Sequence, residues 1–434
     1  MSQLRVGAHR SNITPHLGCH IAGYFADRLA ADIADELYAK TVVFENDDTA
    51  LAFCVLDLIV AEQTDLALAK HRACELTGIP VENIFISCTH THYGPAPFTL
   101  FNAAREDSYL EWAMGRVGDS VKLAQNRLRQ AEVAHASGSC PEETHNRRWR
   151  MKDGSVRMNP GYQNPDMVAP AGPTDPEVGL LVARDADTKD PLAAIANYSL
   201  HYVGGPYHDR ISADYFGYFD RALTRLAGGD FVAVMANGCC GDINNCDFTR
   251  PAPEYPHPFA QAERVGNRVA AAAYDAWLGL RDYDAAPVLG AAIEDVMFAR
   301  REPSAEELAA ARVLRESKHD PADAEWLYAG ETIGVHEEPP QRPTPIMALR
   351  VGDLGIVGLP GEIFVQYGLQ VKQRSPFART FTVELANDYV GYCPTDQALD
   401  EGSYETRLAR TAKAAQGTEG LFVEAAVRLL DQLA

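Results

Sequence analysis

The sequence predicts an α/β fold, organised as one large domain with insertions. Three observations lead there. Apolar, β-rich runs alternate along the chain with segments of helical pattern, so that strand, helix and strand follow one another as in a layered structure. The short strands near the motifs are continuous apolar runs rather than alternating ones, which suits a sheet buried on both faces. The 434 residues are 46% hydrophobic and 23% charged, without internal repeat or low-complexity tract, and can bury a sizeable core. At about 150 residues per domain, length alone would allow two or three units. A single domain spanning residues 1–434 is the simplest organisation.

The elements follow in order. Residues 41–44 and 51–56 read as paired strands across the turn at 45–48. Residues 63–77 read as a helix stopped by Gly78 and Pro80, and residues 84–87 as a short buried strand. A long helix is expected over 107–131, then an irregular excursion over 140–175, where Arg, Asn, Pro and Gly accumulate. Strands return over 177–200, a helix over 213–227, and a strand over 231–235 that runs into a glycine turn. The alanines of a helix at 258–280 permit close packing. Ser304 with Glu307 is a capping-box signature, and residues 302–341 read as an inserted, exposed helical arm. Strands resume over 345–358, and residues 418–433 form a terminal amphipathic helix.

Charge narrows the partners. With 39 Lys and Arg against 60 Asp and Glu, the net charge of −21 repels phosphate backbones and anionic lipid. Neither nucleic acid nor a membrane is expected as a partner; a small-molecule substrate is, and a homo-oligomer is compatible with the sequence. The opening MSQLRVGAHRSNITP lacks a basic region followed by an apolar one, so no export signal is expected. The nine scattered cysteines form no CxxC pair, which fits free thiols in a reducing cytoplasm.

Five segments can carry chemistry. The buried strand at 84–87 runs into Thr89-His90-Thr91-His92-Tyr93-Gly94-Pro95, placing two imidazoles at i and i+2 near a strand end, where α/β sheets bind ligands. Two hydrogen-bonded loop histidines would look the same. Asn197-Tyr198-Ser199-Leu200-His201 puts a histidine past another apolar strand, and a satisfied core histidine is the plainer reading. Leu359-Pro360-Gly361-Glu362 sets a carboxylate just past a buried strand, either bound to something or facing the dipole of the helix at 363–373. Asn237-Gly238-Cys239-Cys240-Gly241-Asp242-Ile243-Asn244-Asn245 is a sharp turn. Tyr392, with Tyr404 twelve residues on, reads by spacing alone as packing.

Taken together and in this order, the segments resemble the neutral/alkaline (non-lysosomal) ceramidase family, specifically its zinc-hydrolase domain. Asn12-Ile13-Thr14-Pro15, Ala22-Gly23-Tyr24, Leu37-Tyr38-Ala39-Lys40 and Asn146-Arg147 extend the likeness over roughly residues 6–410. The resemblance implies a layered α-β-β-α sandwich with two mostly mixed β-sheets. It implies one zinc ion held by the positions of His90, His201, Glu362 and Tyr392. It places His92 towards substrate, and Arg147 and Tyr404 at the scissile amide. Two nitrogens with carboxylate oxygen suit zinc.

Two departures shape the expected activity. The family's serine nucleophile stands in a Gly-Asp-x-Ser-Pro segment, whereas Gly241-Asp242-Ile243-Asn244 carries an asparagine there. An amide is no nucleophile, so direct attack by zinc-activated water is expected, with His92 as base and Asn244 positioning substrate. The chain is also shorter than typical family members and is expected to lack their C-terminal sandwich domain. The expected activity is zinc-dependent hydrolysis of a small soluble amide. Alternatives are an esterase or lactonase, a zinc-dependent lyase or isomerase acting on a sugar-derived acid, and a non-catalytic metal-binding module. A barrel amidohydrolase would need late strand-end histidines, but His257, His319 and His336 sit in polar or proline-rich segments.

Overall fold

The computed structural model describes residues 3–99, 101–205, 208–317 and 320–434; His319 lies outside them. Two sheets lie face to face. The larger has eight strands, in the order Val232–Asn237, Pro191–Tyr198, Glu177–Asp185, Arg129–Ser139, Arg5–Asn12, Tyr38–Glu45, Ala50–Leu56 and Ile84–Cys88. The smaller has four, Leu289–Ala299, Gln341–Val351, Leu354–Gly358 and Arg379–Val383. Both mix parallel and antiparallel neighbours. Val42, Phe53, Phe85 and Leu181 of the larger sheet meet Met347, Ile356 and Phe381 of the smaller in one closed apolar layer. Each such side chain contributes about 1.5–3 kcal/mol by leaving water.

Helices cover the outer faces. Helices α1 (Gln63–Thr77) and α2 (Asp107–Gln125) pack on one half of the larger sheet, and α3 (Asp214–Ala227) and α4 (Ala260–Leu278) on the other. The alanine-rich α4 sits so close that a Cβ at Gly138 would lie 2.5 Å from the Ala272 carbonyl oxygen. Helices Val365–Arg374 and Thr418–Leu433 back the smaller sheet. The result is the α-β-β-α sandwich.

Three parallel strand pairs position the site. Ala50–Leu56 pairs with Ile84–Cys88, Pro191–Tyr198 with Val232–Asn237, and Leu354–Gly358 with Arg379–Val383. A parallel pair needs a crossover, and α1, α3 and Val365–Arg374 supply the three. A bridge between Ser87 and Ala386 joins the two sheets beside the carboxyl ends of these strands. The five sequence segments leave the sheets there.

The structure differs from expectation in two places. The helix expected over 107–131 ends at Gln125, and Arg129–Ser139 is instead a central strand, paired along nine residues with Glu177–Asp185. Its small residues keep the helical pattern running, but the sheet claims them. The arm at 302–341 holds two helices, α5 (Ala305–Ser317) and α6 (Ala324–Glu337). Ser304 and Glu307 close their capping box, and α5 is exposed. In contrast, α6 buries Trp326, Leu327 and Tyr328, and its buried Glu331 takes two hydrogen bonds from the Arg410 guanidinium. An exposed arm thus describes α5 alone. Among the described residues no helix is long and apolar enough to cross a membrane, and the nine cysteines are free.

Candidate metal centre and active site

His90 leaves the strand Ile84–Cys88 with a left-handed backbone, φ 73°, its N–H held by the Leu58 carbonyl at 2.9 Å. That turn sends its ring inward. Its Nδ1 lies 2.8 Å from the Ile59 carbonyl oxygen. The Nδ1 of His92 lies 3.0 Å from the Gly23 oxygen, and that of His201 3.4 Å from the Cys240 oxygen. Gly23 has φ +106°, and a Cβ on it would come within 2.5 Å of His92 Nδ1, so glycine is required for the approach. A carbonyl only accepts. Each Nδ1 therefore carries a hydrogen, which leaves Nε2 as the atom that offers a lone pair in the neutral ring.

Those lone pairs converge. His90 Nε2 is 3.1 Å from His201 Nε2 and 3.2 Å from His92 Nε2. All three rings are buried, and the group can hold a metal ion. Glu362 Oε2 stands 3.3 Å from His90 Nε2 and 3.7 Å from His201 Nε2, buried and without a hydrogen-bond partner. A buried, unpartnered carboxylate oxygen facing lone pairs is costly unless a cation sits among them. The donor set, imidazole nitrogen with carboxylate oxygen, suits a divalent transition metal.

Electrostatics favour the neutral form at two of the three rings. Burial, then the charge on His90, holds His92 and His201 well below the ordinary imidazole value, in the neutral form that ligates metal. Burial pulls His90 down, but the Glu362 charge outweighs it and raises the ring. Burial pushes Glu362 up, and His90 with the Tyr392 and Tyr389 hydroxyls brings it below the usual carboxylate value.

Phenols and a guanidinium complete the surroundings. The two-residue strand Glu362–Ile363 pairs in parallel with Tyr392–Cys393, so register alone sets carboxylate beside phenol. The Tyr392 hydroxyl accepts from Arg147 at 3.1 Å, and Arg147 Nε donates to Glu405 Oε1 at 2.8 Å. Burial, then the Glu362 charge, pushes the Tyr392 phenol well above its ordinary value. The Tyr404 ring packs edge-on against Tyr392, centroids 6.0 Å apart. Asn244 pairs across a short ladder with His145, and its amide donates to Asn159 Oδ1 at 2.8 Å. Asn244 lines a cavity of about 720 Å³ together with Tyr24, Arg147, Asn159, His201 and Tyr202. A larger adjoining cavity, about 900 Å³, shares Asn245 and Tyr255 with it but does not reach His90, His92 or His201.

The structure therefore brings the eight sequence-selected residues to one place. His90, His92, His201, Glu362 and Tyr392 form the floor; Arg147 and Tyr404 sit against Tyr392; Asn244 stands on the cavity wall. By its distance to His90, His92 is on an equal footing with His201, but only His90 and His201 also approach Glu362. Sequence reasoning missed four neighbours. Tyr389 donates to Glu362 Oε1 at 2.8 Å. Tyr202 stacks on His92 with centroids 3.6 Å apart. Glu405 pairs with both Arg147 and Arg148. Glu384, which burial pushes up to about 7, lies beneath the floor. Tyr202 and Glu405 each directly follow a selected residue, which was the available signal.

No family model matches the chain. Neutral ceramidase of Pseudomonas aeruginosa is 23% identical to it over 468 aligned residues, covering 92% of this chain and 66% of that protein. The chain thus spans just under two thirds of the length of this curated relative. The crystal structure of neutral ceramidase from Pseudomonas aeruginosa superposes with a TM-score of 0.78 at 20% identity, over 100% of this chain and 75% of that one. A ceramidase complexed with C2 gives 0.76 at 19%, over 100% and 76%. At such identities the structural likeness establishes the fold.

Proposed function

The chain is a homologue of neutral ceramidase, and from that premise we propose that it is a zinc-dependent hydrolase of a small, water-soluble amide, a deacylase or amidase in type. The observation that carries this reading is the convergence of the Nε2 atoms of His90, His92 and His201, with the unpartnered Glu362 Oε2 at 3.3 Å from the first and 3.7 Å from the last. In it His90, His201 and Glu362 hold the metal, with the Tyr392 hydroxyl beside them. Zinc, when bound, polarises a carbonyl and draws the pKa of water towards ~7.

The remaining roles fall to the chain itself. His92 Nε2, unprotonated and aimed by its bond to Gly23, receives the proton of the attacking water and returns it to the leaving amine. Arg147, fixed by Glu405, and the Tyr404 hydroxyl stabilise charge developing on the carbonyl oxygen. Asn244 offers its amide to the substrate and is no nucleophile, so water attacks without a covalent intermediate on this residue. The polar wall of Arg147, Asn159, Asn244, Asn245 and Gln261 supports a small, hydrophilic amide. The free cysteines support a cytoplasmic setting.

A panel of short N-acyl amides and matched esters tests the reading on protein as isolated, after chelation, and after zinc is restored. Amide hydrolysis that chelation abolishes and zinc restores is expected. Turnover indifferent to chelation would overturn it. Zinc-dependent turnover without incorporation of solvent oxygen would assign a lyase or isomerase instead.

A further inference from the structure

We propose that Glu384 is the positioning residue of the metal site: by accepting two backbone N–H groups it sets the spacing of the segments that carry the ligands, and so sets metal affinity. The inference rests on the metal reading above. Glu384 follows the strand Arg379–Val383 and is fully buried. Its Oε2 accepts from the Cys240 N–H at 3.0 Å and from the Ile363 N–H at 2.9 Å. Its Oε1 accepts from the Cys240 thiol at 2.9 Å and the Asn237 amide at 3.4 Å.

Each partner leads to a ligand. Cys240 supplies the carbonyl that orients His201 through Nδ1. Ile363 is the neighbour of Glu362 in the two-residue strand that faces Tyr392. The Asn237 amide also donates to the carbonyl of Thr89, the residue before His90, at 3.3 Å. One carboxylate thus ties together the ends of strands from both sheets. Groups that orient ligands in this way typically change metal affinity 10–100-fold when altered. The structure also separates position from charge. Glutamine keeps an oxygen where Oε2 stands, so both backbone N–H groups stay bound, and its NH2 in place of Oε1 gives up only the bonds from the Cys240 thiol and the Asn237 amide. Aspartate keeps the charge but withdraws both oxygens by one methylene, too far to hold Cys240 and Ile363 together.

The test measures zinc affinity by competition with a chelator, and the visible spectrum of the cobalt-substituted protein, for the full-length wild type, Glu384→Asp and Glu384→Gln. Thermal unfolding of each metal-free form confirms that it is folded. Glu384→Gln is expected to stay within about threefold of wild type with an unchanged cobalt spectrum, and Glu384→Asp to lose about 10–100-fold with an altered one. Wild-type affinity in folded Glu384→Asp would overturn the proposal. So would a tenfold or greater loss in Glu384→Gln, which remains decisive if Glu384→Asp does not fold. Failure of the wild type itself to bind zinc would instead overturn the metal reading.

Discussion

The floor of the site and its wall are built in opposite ways. On the floor, His90, His92 and His201 each spend one ring nitrogen on a backbone carbonyl and are buried, at strand ends of the larger sheet. On the wall, Asn244 and Asn159 hold each other through side-chain amides, and Asn159 is exposed. The imidazoles, buried at sheet ends, have little freedom to move, whereas the exposed Asn159 amide can exchange Asn244 for a ligand. In the proposed function, chemistry belongs to the first region and substrate choice to the second. Glu405 links them, reaching Arg147 on the side of Tyr392 and Arg148 behind it.

Substitutions can break this contrast in graded steps. The largest effect is expected from Glu362→Ala, which removes the unpartnered oxygen: zinc is lost and kcat/KM falls by at least about a thousandfold, read from metal content and a steady-state assay. Next, His92→Ala keeps its zinc but lowers kcat about 10²–10⁴-fold, because proton transfer is lost while the other ligands stay. Loss of zinc in that variant would move His92 among the ligands, where its distances also allow it.

Glu405→Ala probes the link. It leaves the buried Arg147 guanidinium, 5% exposed, without a carboxylate, while Arg148 keeps Glu401 at 3.7 Å, and should cost about 3–5 kcal/mol in denaturant unfolding. The smallest effect belongs to the wall. Asn244→Ala should leave zinc as it is, cost about 1 kcal/mol of stability with its bonds to Asn159 and the Cys246 N–H, and raise KM about tenfold, the worth of one hydrogen bond to substrate. A fall in zinc content there would erase the distinction between the two regions.

The same contrast explains what the sequence made legible. His90, His201 and Glu362 lie two to four residues past buried apolar strands, but local pattern left plainer readings open, and the resemblance to the ceramidase family is what set them together. Glu405 and Glu384 were not among them. Glu384 directly follows a strand as well, but its importance lies in contacts with Cys240 and Ile363, far away in sequence. Tyr389 was missed because a tyrosine's hydroxyl partner is set by tertiary structure, here Glu362. Strand Arg129–Ser139 was hidden for a related reason: alanine-rich residues after α2 continue a helical pattern, and only pairing on both sides makes them a strand. The arm was half legible, since the capping box marks the start of α5 while the burial of Trp326 in α6 depends on what lies beneath.

X-ray absorption at the zinc edge of the protein as isolated tests the central claim most directly. The account predicts bound zinc surrounded by imidazole nitrogen and carboxylate or phenolic oxygen, with no sulfur in its shell. Zinc ligated by sulfur, for which the Cys240 thiol 3.7 Å from His201 Nδ1 is the nearby source, would contradict it, and so would protein that takes up no zinc at all.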